Sequence, residues 1–209
     1  MERAAYSRDD WTLLRVTTPD RPGGLAVFAR CMAACGVDIL SIEILGHEGP
    51  KAVADVLVHG GDLDRALRAL DEDLDLLGRR SHGDLPDPAL AMAEACGRVY
   101  AGRSAVALLD AAIALVGADI GAIYRVEDGA LVSGAETTGG LESLAAECLA
   151  TGAAAFAEPA AGSAMAMPMG DGPQLVLAVA RAQTFPFQAA EVDRLSALGR
   201  LALPVLDGA

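Results

Sequence analysis

Lysine is almost missing from this chain. Lys51 is the only one in 209 residues, and 16 basic against 29 acidic side chains leave a formal charge of −13. Phosphate backbones demand a basic face, and the scattered arginines build no patch, so nucleic acid is excluded as a partner. The deficit is general, with 10 basic against 14 acidic residues in 1–80 and 6 against 15 in 81–209. Neither half therefore reads as a DNA-binding or membrane-surface module. Cysteines are few, and Cys31, Cys35, Cys96 and Cys148 each sit in a helix-compatible apolar run. Reduced core thiols are the reading, not a disulfide framework. Histidine is confined to His47, His59 and His82. Cys31 and Cys35 have no histidine near them in sequence, so zinc-site spacing is not met. No apolar run approaches a membrane span, and the N-terminal ten residues carry no secretory core, so a cytoplasmic location is expected. Phosphate-cradling Gly-x-x-x-x-Gly-Lys, His-Glu-x-x-His and Gly-x-Ser-x-Gly sequences are missing too. The expectation is a protein that is not an enzyme and uses no cofactor or metal.

What is present is a globular composition, 53% hydrophobic and 22% charged, long enough for one large or two small domains. The richest local feature is Thr17-Thr-Pro-Asp-Arg-Pro-Gly-Gly-Leu25, set between a β-like run and a helix-like run. Pro19 and Pro22 each fix a backbone φ, and Gly23 and Gly24 allow angles and approaches that a Cβ forbids. A helix that starts here leaves N–H groups open to an anion, while Asp20 and Arg21 offer one charge of each sign to a zwitterion. The competing reading is that Asp20 only caps the helix or turn and Arg21 is solvated.

Periodicity orders the first half as strand, helix, strand, strand, helix, strand. Trp11–Thr17 is the first strand, and residues 24–35 are a helix with a Leu25, Phe28, Met32 and Cys35 stripe, stopped by Gly36. Val37–Leu45 and Lys51–His59 flank the turn-rich His47-Glu-Gly-Pro as a hairpin. The apolar parity of the first of these strands shifts at Leu40, which means a bulge or burial on both faces. Asp62 is the expected N-cap of a helix to Asp73, and Leu74–Leu77 is a short last strand. Residues 81–88 cluster turn and breaker types, placing a break near residue 82, with domains over 1–80 and 88–209 joined by an 81–87 linker.

The run Leu14-Arg-Val-Thr-Thr-Pro-Asp-Arg-Pro-Gly-Gly-Leu-Ala, with Gly36-Val-Asp-Ile-Leu after the helix, resembles an ACT domain over about residues 11–79. The Asp-Arg-Pro-Gly form is similar to that in nitrogen-sensing uridylyltransferases and glycine-cleavage regulators. The resemblance implies a side-by-side homodimer holding an amino acid at its interface. Backbone contacts would come from Asp20, Arg21, Pro22, Gly23 and Gly24, and a grip on the ammonium from Asp38 with Ile39 and Leu40 beside it. Asp38 stands where many relatives have Asn, and its charge would strengthen that contact. Its plainer role is to end a strand at the surface.

The second half has a different rhythm. A helix-compatible segment runs from Pro88 to Gly117, interrupted or kinked near Gly97 and Gly102. Asp119–Val126 and Ala130–Ala135 form a hairpin, Leu141–Leu149 a helix, Ser163–Met169 and Gln174–Arg181 a second hairpin, and Phe187–Leu203 a closing helix. Leu149-Ala-Thr-Gly, Met165-Ala-Met-Pro-Met169 with Gly170-Asp-Gly, and the stretch from Phe185 to Leu198 resemble a GAF domain over about residues 88–206. The expected class is thus α+β, a ferredoxin-like βαββαβ ACT domain followed by a GAF-like antiparallel sheet flanked by helices. With no histidine after His82, a histidine-held haem or bilin is excluded from the second half. Arg125, Arg181 and Glu136 are either pocket residues or strand-end surface.

Two functional classes follow. One is a ligand-sensing regulator that signals through protein–protein contacts, with a protein partner allowed. The other is a ligand-free scaffolding dimer. The enzymatic alternative, a GAF-type methionine sulfoxide reductase, needs Cys96 and Cys148 to meet in a pocket.

Overall fold

The computed structural model describes residues 11–70, 73–81, 88–134, 140–157, 162–169, 175–182 and 186–206. Strand β1 (Trp11–Pro19) sends Leu14 and Val16 to one face and Leu13, Arg15 and Thr17 to the other, and all five are buried. It is a central strand. With β2 (Asp38–Glu48), β3 (Lys51–His59) and β4 (Asp75–Ser81) it makes an antiparallel sheet in the order β2-β3-β1-β4. Helices α1 (Gly24–Ala34) and α2 (Leu63–Arg68) pack on one face, where Phe28, Met32 and Ala66 meet Leu14, Val16, Ala54, Val56 and Val58. This is the expected βαββαβ arrangement.

Local signals explain most element ends. The N–H of Gly36 donates to the Ala33 carbonyl at 3.1 Å and that of Val37 to Met32 at 3.0 Å. This is a Schellman closure, sealed because Val37 and Met32 share one core cluster. Asp62 caps α2, its Oδ1 accepting from the Arg65 N–H at 3.0 Å. The parity shift in β2 is a pair of bulges, with Leu40 and Leu45 as the extra residues. Burial on both faces is not its cause, since β2 is an edge strand whose Ile42 and Ile44 are 41% and 45% exposed.

Some boundaries differ from expectation. Helix α2 ends at Arg68 rather than Asp73, and β4 runs on to Ser81 rather than stopping at Leu77. As an edge strand, β4 needs no continuous apolar run, so Gly78, Arg79 and Arg80 join it without a hydrophobic signal. Leu25 leaves the α1 stripe, and Val27 joins Phe28, Met32 and Cys35 against the core instead. Ser81 belongs to β4, and residues 82–87 of the expected linker lie outside the described residues.

The chain divides into two compact units, residues 1–85 and 86–209. In the second, helices α3 (Pro88–Gly102) and α4 (Ala105–Val116) precede strands β5 (Ile120–Arg125) and β6 (Leu131–Gly134). Then come α5 (Leu141–Thr151), β7 (Ala155–Ala157), β8 (Ser163–Met169), β9 (Leu175–Arg181) and α6 (Ala189–Leu206). The antiparallel sheet has the order β6-β5-β9-β8-β7. Met165, Met167, Leu177, Val179 and Ile123 point to the face covered by α3, α4 and α6. Ala122, Ala164, Ala166, Val176 and Ala178 point to the opposite face under α5, where small side chains admit the helix closely. Gly97 lies within α3 without a break; the single interruption falls at Arg103, where Ser104 caps α4 by accepting from the Ala107 N–H. The three-residue β7 is too short to carry a sequence period.

One ion pair ties the end of β9 to the start of α6. Arg181 donates to both carboxylate oxygens of Glu191, at 3.0 and 3.1 Å, and to the carbonyls of Val116 and Pro186. Its guanidinium lies 3.8 Å from the Phe187 ring centroid, and Glu191 also accepts from the Gln188 N–H. Removing one partner strands a buried charge. Glu191→Ala is therefore expected to cost roughly 3–5 kcal/mol in urea unfolding. Arg125→Ala, which breaks a half-exposed pair with Asp128, is expected to cost under about 1 kcal/mol.

Candidate ligand site at the first strand–helix turn

The turn from β1 into α1 is held by its backbone. The Asp20 N–H donates to the Pro50 carbonyl at 3.0 Å, tying the turn to the neighbouring β2–β3 connection, and the Gly24 N–H donates to Arg21 at 3.0 Å. Gly23 sits at φ 91°, a left-handed conformation that favours glycine, and serves as the N-cap with no side-chain hydrogen bond. A Cβ on Gly24 would overlap the Pro19 carbonyl oxygen. Each glycine of the pair thus answers a separate need.

Asp20 does not cap the helix. Its Oδ2 lies 3.3 Å from His47 Nε2, and Arg21 Nη2 lies 3.6 Å from Asp73 Oδ2. All four side chains are well exposed, and such pairs are worth about 0–1 kcal/mol, so a ligand charge can replace either partner at little cost. Two recesses flank the turn. One, of about 270 Å³, is bounded by Arg21, Pro22, Val27, Asp73 and Leu74; the other, of about 380 Å³, by Asp20, Leu25, Ile44, His47 and Ala52; Gly23 and Gly24 line both.

Asp20, Arg21, Pro22, Gly23 and Gly24 are therefore together, whereas Asp38, Ile39 and Leu40 are not with them. Asp38 pairs across to His59, which pairs to Trp11, at the far end of β1 from Pro19. Eight residue steps separate those ends, about 27 Å. Within one copy the two halves of the expected site do not meet. The structure adds His47, Ile44 and Ala52, which sequence reasoning left in a turn or in strand interiors. The two-residue turn at Gly49-Pro50 is the signal that places His47 opposite Ala52, and Ala52 opposite Thr18.

Behind the turn lie two polar clusters on the helix-free face. Lys51 Nζ donates to Asp75 Oδ2 at 2.7 Å and Thr17 Oγ1 to the same oxygen at 3.0 Å. The Lys51 hydrogen bond, then that of Thr17, holds the Asp75 carboxyl below the ordinary carboxylate range. Arg15, 2% exposed, grips Asp55 bidentately at 2.7 and 2.8 Å.

The second unit corrects several expectations. Arg181 is neither a pocket residue nor strand-end surface but a buried tie, whereas Arg125 is strand-end surface as one of its two readings had it, half-exposed at the end of β5 and paired with Asp128. Glu136 lies outside the described residues. Cys148 is buried on the α5 face of the sheet, whereas Cys96 packs against the three-helix face, so the sheet separates them. They do not form the dithiol that a methionine sulfoxide reductase would require. Burial also pushes the Cys148 thiol up to about 11. Among the described residues no group of three or more His, Cys, Asp or Glu side chains is placed to hold a metal. No described helix is long and apolar enough to cross a membrane.

No family model and no curated protein sequence matches the chain. Among solved structures, the chain is similar to a GAF domain assigned to a sensor histidine kinase of Pseudomonas syringae pv. tomato. The identity is 16%, with 58% of this chain and 86% of that one covered and a TM-score of 0.39. A protein from Galdieria sulphuraria overlays at 13% identity, covering 90% of this chain and 91% of that one, with a TM-score of 0.31. A protein assigned as a glycine cleavage system transcriptional repressor does so at 14%, covering 94% and 92%, with a TM-score of 0.34. These are loose overlays, and the strand order and packing described above define the fold by themselves.

Two outcomes test this geometry. Lys51→Met is expected to raise the Asp75 value in an NMR titration. Because a depressed carboxyl stabilises the fold only while ionised, the variant's stability deficit should be full at neutral pH and vanish as pH falls below Asp75's own value. In native protein at pH 8, iodoacetamide followed by mass spectrometry should leave Cys148 unmodified after the partly exposed Cys31, Cys35 and Cys96 have reacted.

Proposed function

We propose that this chain is a non-catalytic regulatory protein that binds an amino acid between two copies of its first unit and signals through protein–protein contacts. The observation that carries the reading is that the two half-sites lie at opposite ends of the sheet, one on the edge strand β2 and one in the turn after β1. Strand β2 is eleven residues long with Glu43 at its midpoint, Asp38 at one end, and Glu48 at the other, beside the Asp20–Gly24 turn. Antiparallel pairing of two β2 edges about Glu43 would bring Asp38 of the partner subunit next to that turn. A ligand there would lie between Arg21 with the turn backbone, suited to its carboxylate, and Asp20 with Asp38 of the partner subunit, suited to its ammonium. The position of β2 at the sheet edge among the described residues and the exposed Ile42 and Ile44 support such pairing.

This assembly fits the ACT resemblance of residues 11–79, and the GAF resemblance of residues 88–206 supplies a second regulatory module of the kind found in sensors. An effector shifts an equilibrium only through differential affinity, and a site shared by two copies provides it. The chain would act as a cytoplasmic homodimer, passing the signal to a protein partner. A scaffolding dimer without ligand is the second reading, favoured by the fact that Asp20 and Arg21 already have protein partners in His47 and Asp73.

Thermal denaturation in the presence of each of the twenty amino acids separates the two. One of them, at 100 times its Kd, should stabilise the protein by about 2.7 kcal/mol. Asp20→Ala and Asp38→Ala should each abolish the shift while leaving the ligand-free midpoint within a degree or two. If no amino acid moves the midpoint, the scaffold reading stands and the sensor reading falls.

A further inference from the structure

The larger recess has a chemical bias of its own. Thr18, Ile44, His47 and Ala52 all project to the helix-bearing face of the sheet, in register with the core positions Val16 and Ala54, and Leu25 of α1 closes the recess from above. Leu25 is half-buried yet stands outside the core cluster. Ile44 is 45% exposed. At about 380 Å³ the recess falls at the small end of ligand sites, which span roughly 300–1,000 Å³. Its polar side chains, Asp20, Arg21 and His47, gather on the turn side, whereas Leu25, Ile44 and Ala52 form an apolar wall.

We propose that the amino acid taken at this turn is one with an aliphatic side chain, whose ammonium takes Asp20 from His47 while the side chain covers Leu25, Ile44 and Ala52. The inference rests on the amino-acid reading above and narrows it. An acidic side chain entering the recess would meet the Asp20 carboxylate, and a basic one would leave its charge against the apolar wall without a counter-ion. Glycine would leave the wall in water. An aliphatic side chain gains from burying the exposed face of Ile44, and each methylene so placed changes affinity by about tenfold or somewhat less.

Isothermal titration calorimetry of the full chain with L-valine, L-leucine, L-isoleucine, glycine, L-aspartate and L-lysine tests this. At least one aliphatic amino acid should bind about tenfold or more tightly than glycine, and aspartate and lysine should bind no better than glycine. Ile44→Ser, which removes part of the apolar wall, should cut the aliphatic-to-glycine affinity ratio severalfold, a ratio in which any effect on pairing along β2 that both ligands share cancels. His47→Ala should tighten aliphatic binding, because Asp20 loses its competing partner. Tighter binding of glycine, aspartate or lysine, or an unchanged ratio in Ile44→Ser, overturns the aliphatic assignment while the amino-acid reading survives. Failure of all six ligands overturns the aliphatic assignment, and the denaturation series with all twenty amino acids then decides the amino-acid reading.

Discussion

The carbonyl of Pro19 occupies the space that a side chain at position 24 would need, and this closeness sets how β1 hands the chain to α1. Because Gly24 tolerates the approach and Gly23 takes a left-handed turn just before it, the helix starts directly over the end of its strand. Asp20 and Arg21 are then left on the rim, and the Asp20 N–H binds the rim to Pro50 of the adjacent hairpin. Leu25 follows one residue after the close contact and faces the recess rather than the core. The floor, wall and polar edge of the recess thus come from three elements fixed by one tight turn.

The same sheet explains why a site would be shared. Strand β1 is central and buried on both faces, whereas β2 is an edge strand with isoleucines in water. Strand edges invite a further strand, and in the proposed dimer a second copy of the same edge would be the partner whose symmetry joins the two half-sites. In the second unit the two faces of the sheet are filled by helices, with methionine and leucine toward the three-helix side and alanine toward α5. Arg181 and Glu191 lock the entry to α6 there.

Features legible in the sequence were those decided locally. The α1 termination at Gly36, the Asp62 cap, the β2–β3 hairpin and the bulge at Leu40 each depend on a few neighbouring residues, as does the Asp20–Gly24 turn. Features that depend on distant partners were not legible. Arg15 and Asp55 are 40 residues apart, and nothing in either neighbourhood distinguishes a buried arginine from a solvated one. Arg181 escaped in part for the same reason, since the Val116 carbonyl at the end of α4 is 65 residues away, while Pro186 and Glu191 reach it only because the chain folds back between β9 and α6. Ile44, His47 and Ala52 join the recess only through strand register, which a bulge at Leu45 shifts by one residue. Asp38, Ile39 and Leu40 came from the family resemblance, and one copy of the chain holds them at the opposite end of the sheet from the turn.

The central claim is that two copies pair along β2, and disulfide trapping in the double variant D38C/E48C tests it most directly. Within one chain these positions are ten residues apart on a strand, about 34 Å, far beyond the roughly 4.4–6.8 Å between Cα atoms that a disulfide spans. Mild oxidation should yield a covalent dimer whose digest contains the peptide of residue 38 linked to the peptide of residue 48. If neither covalent dimer nor that linked peptide forms while the protein remains folded, β2 pairing and the shared site built on it are contradicted.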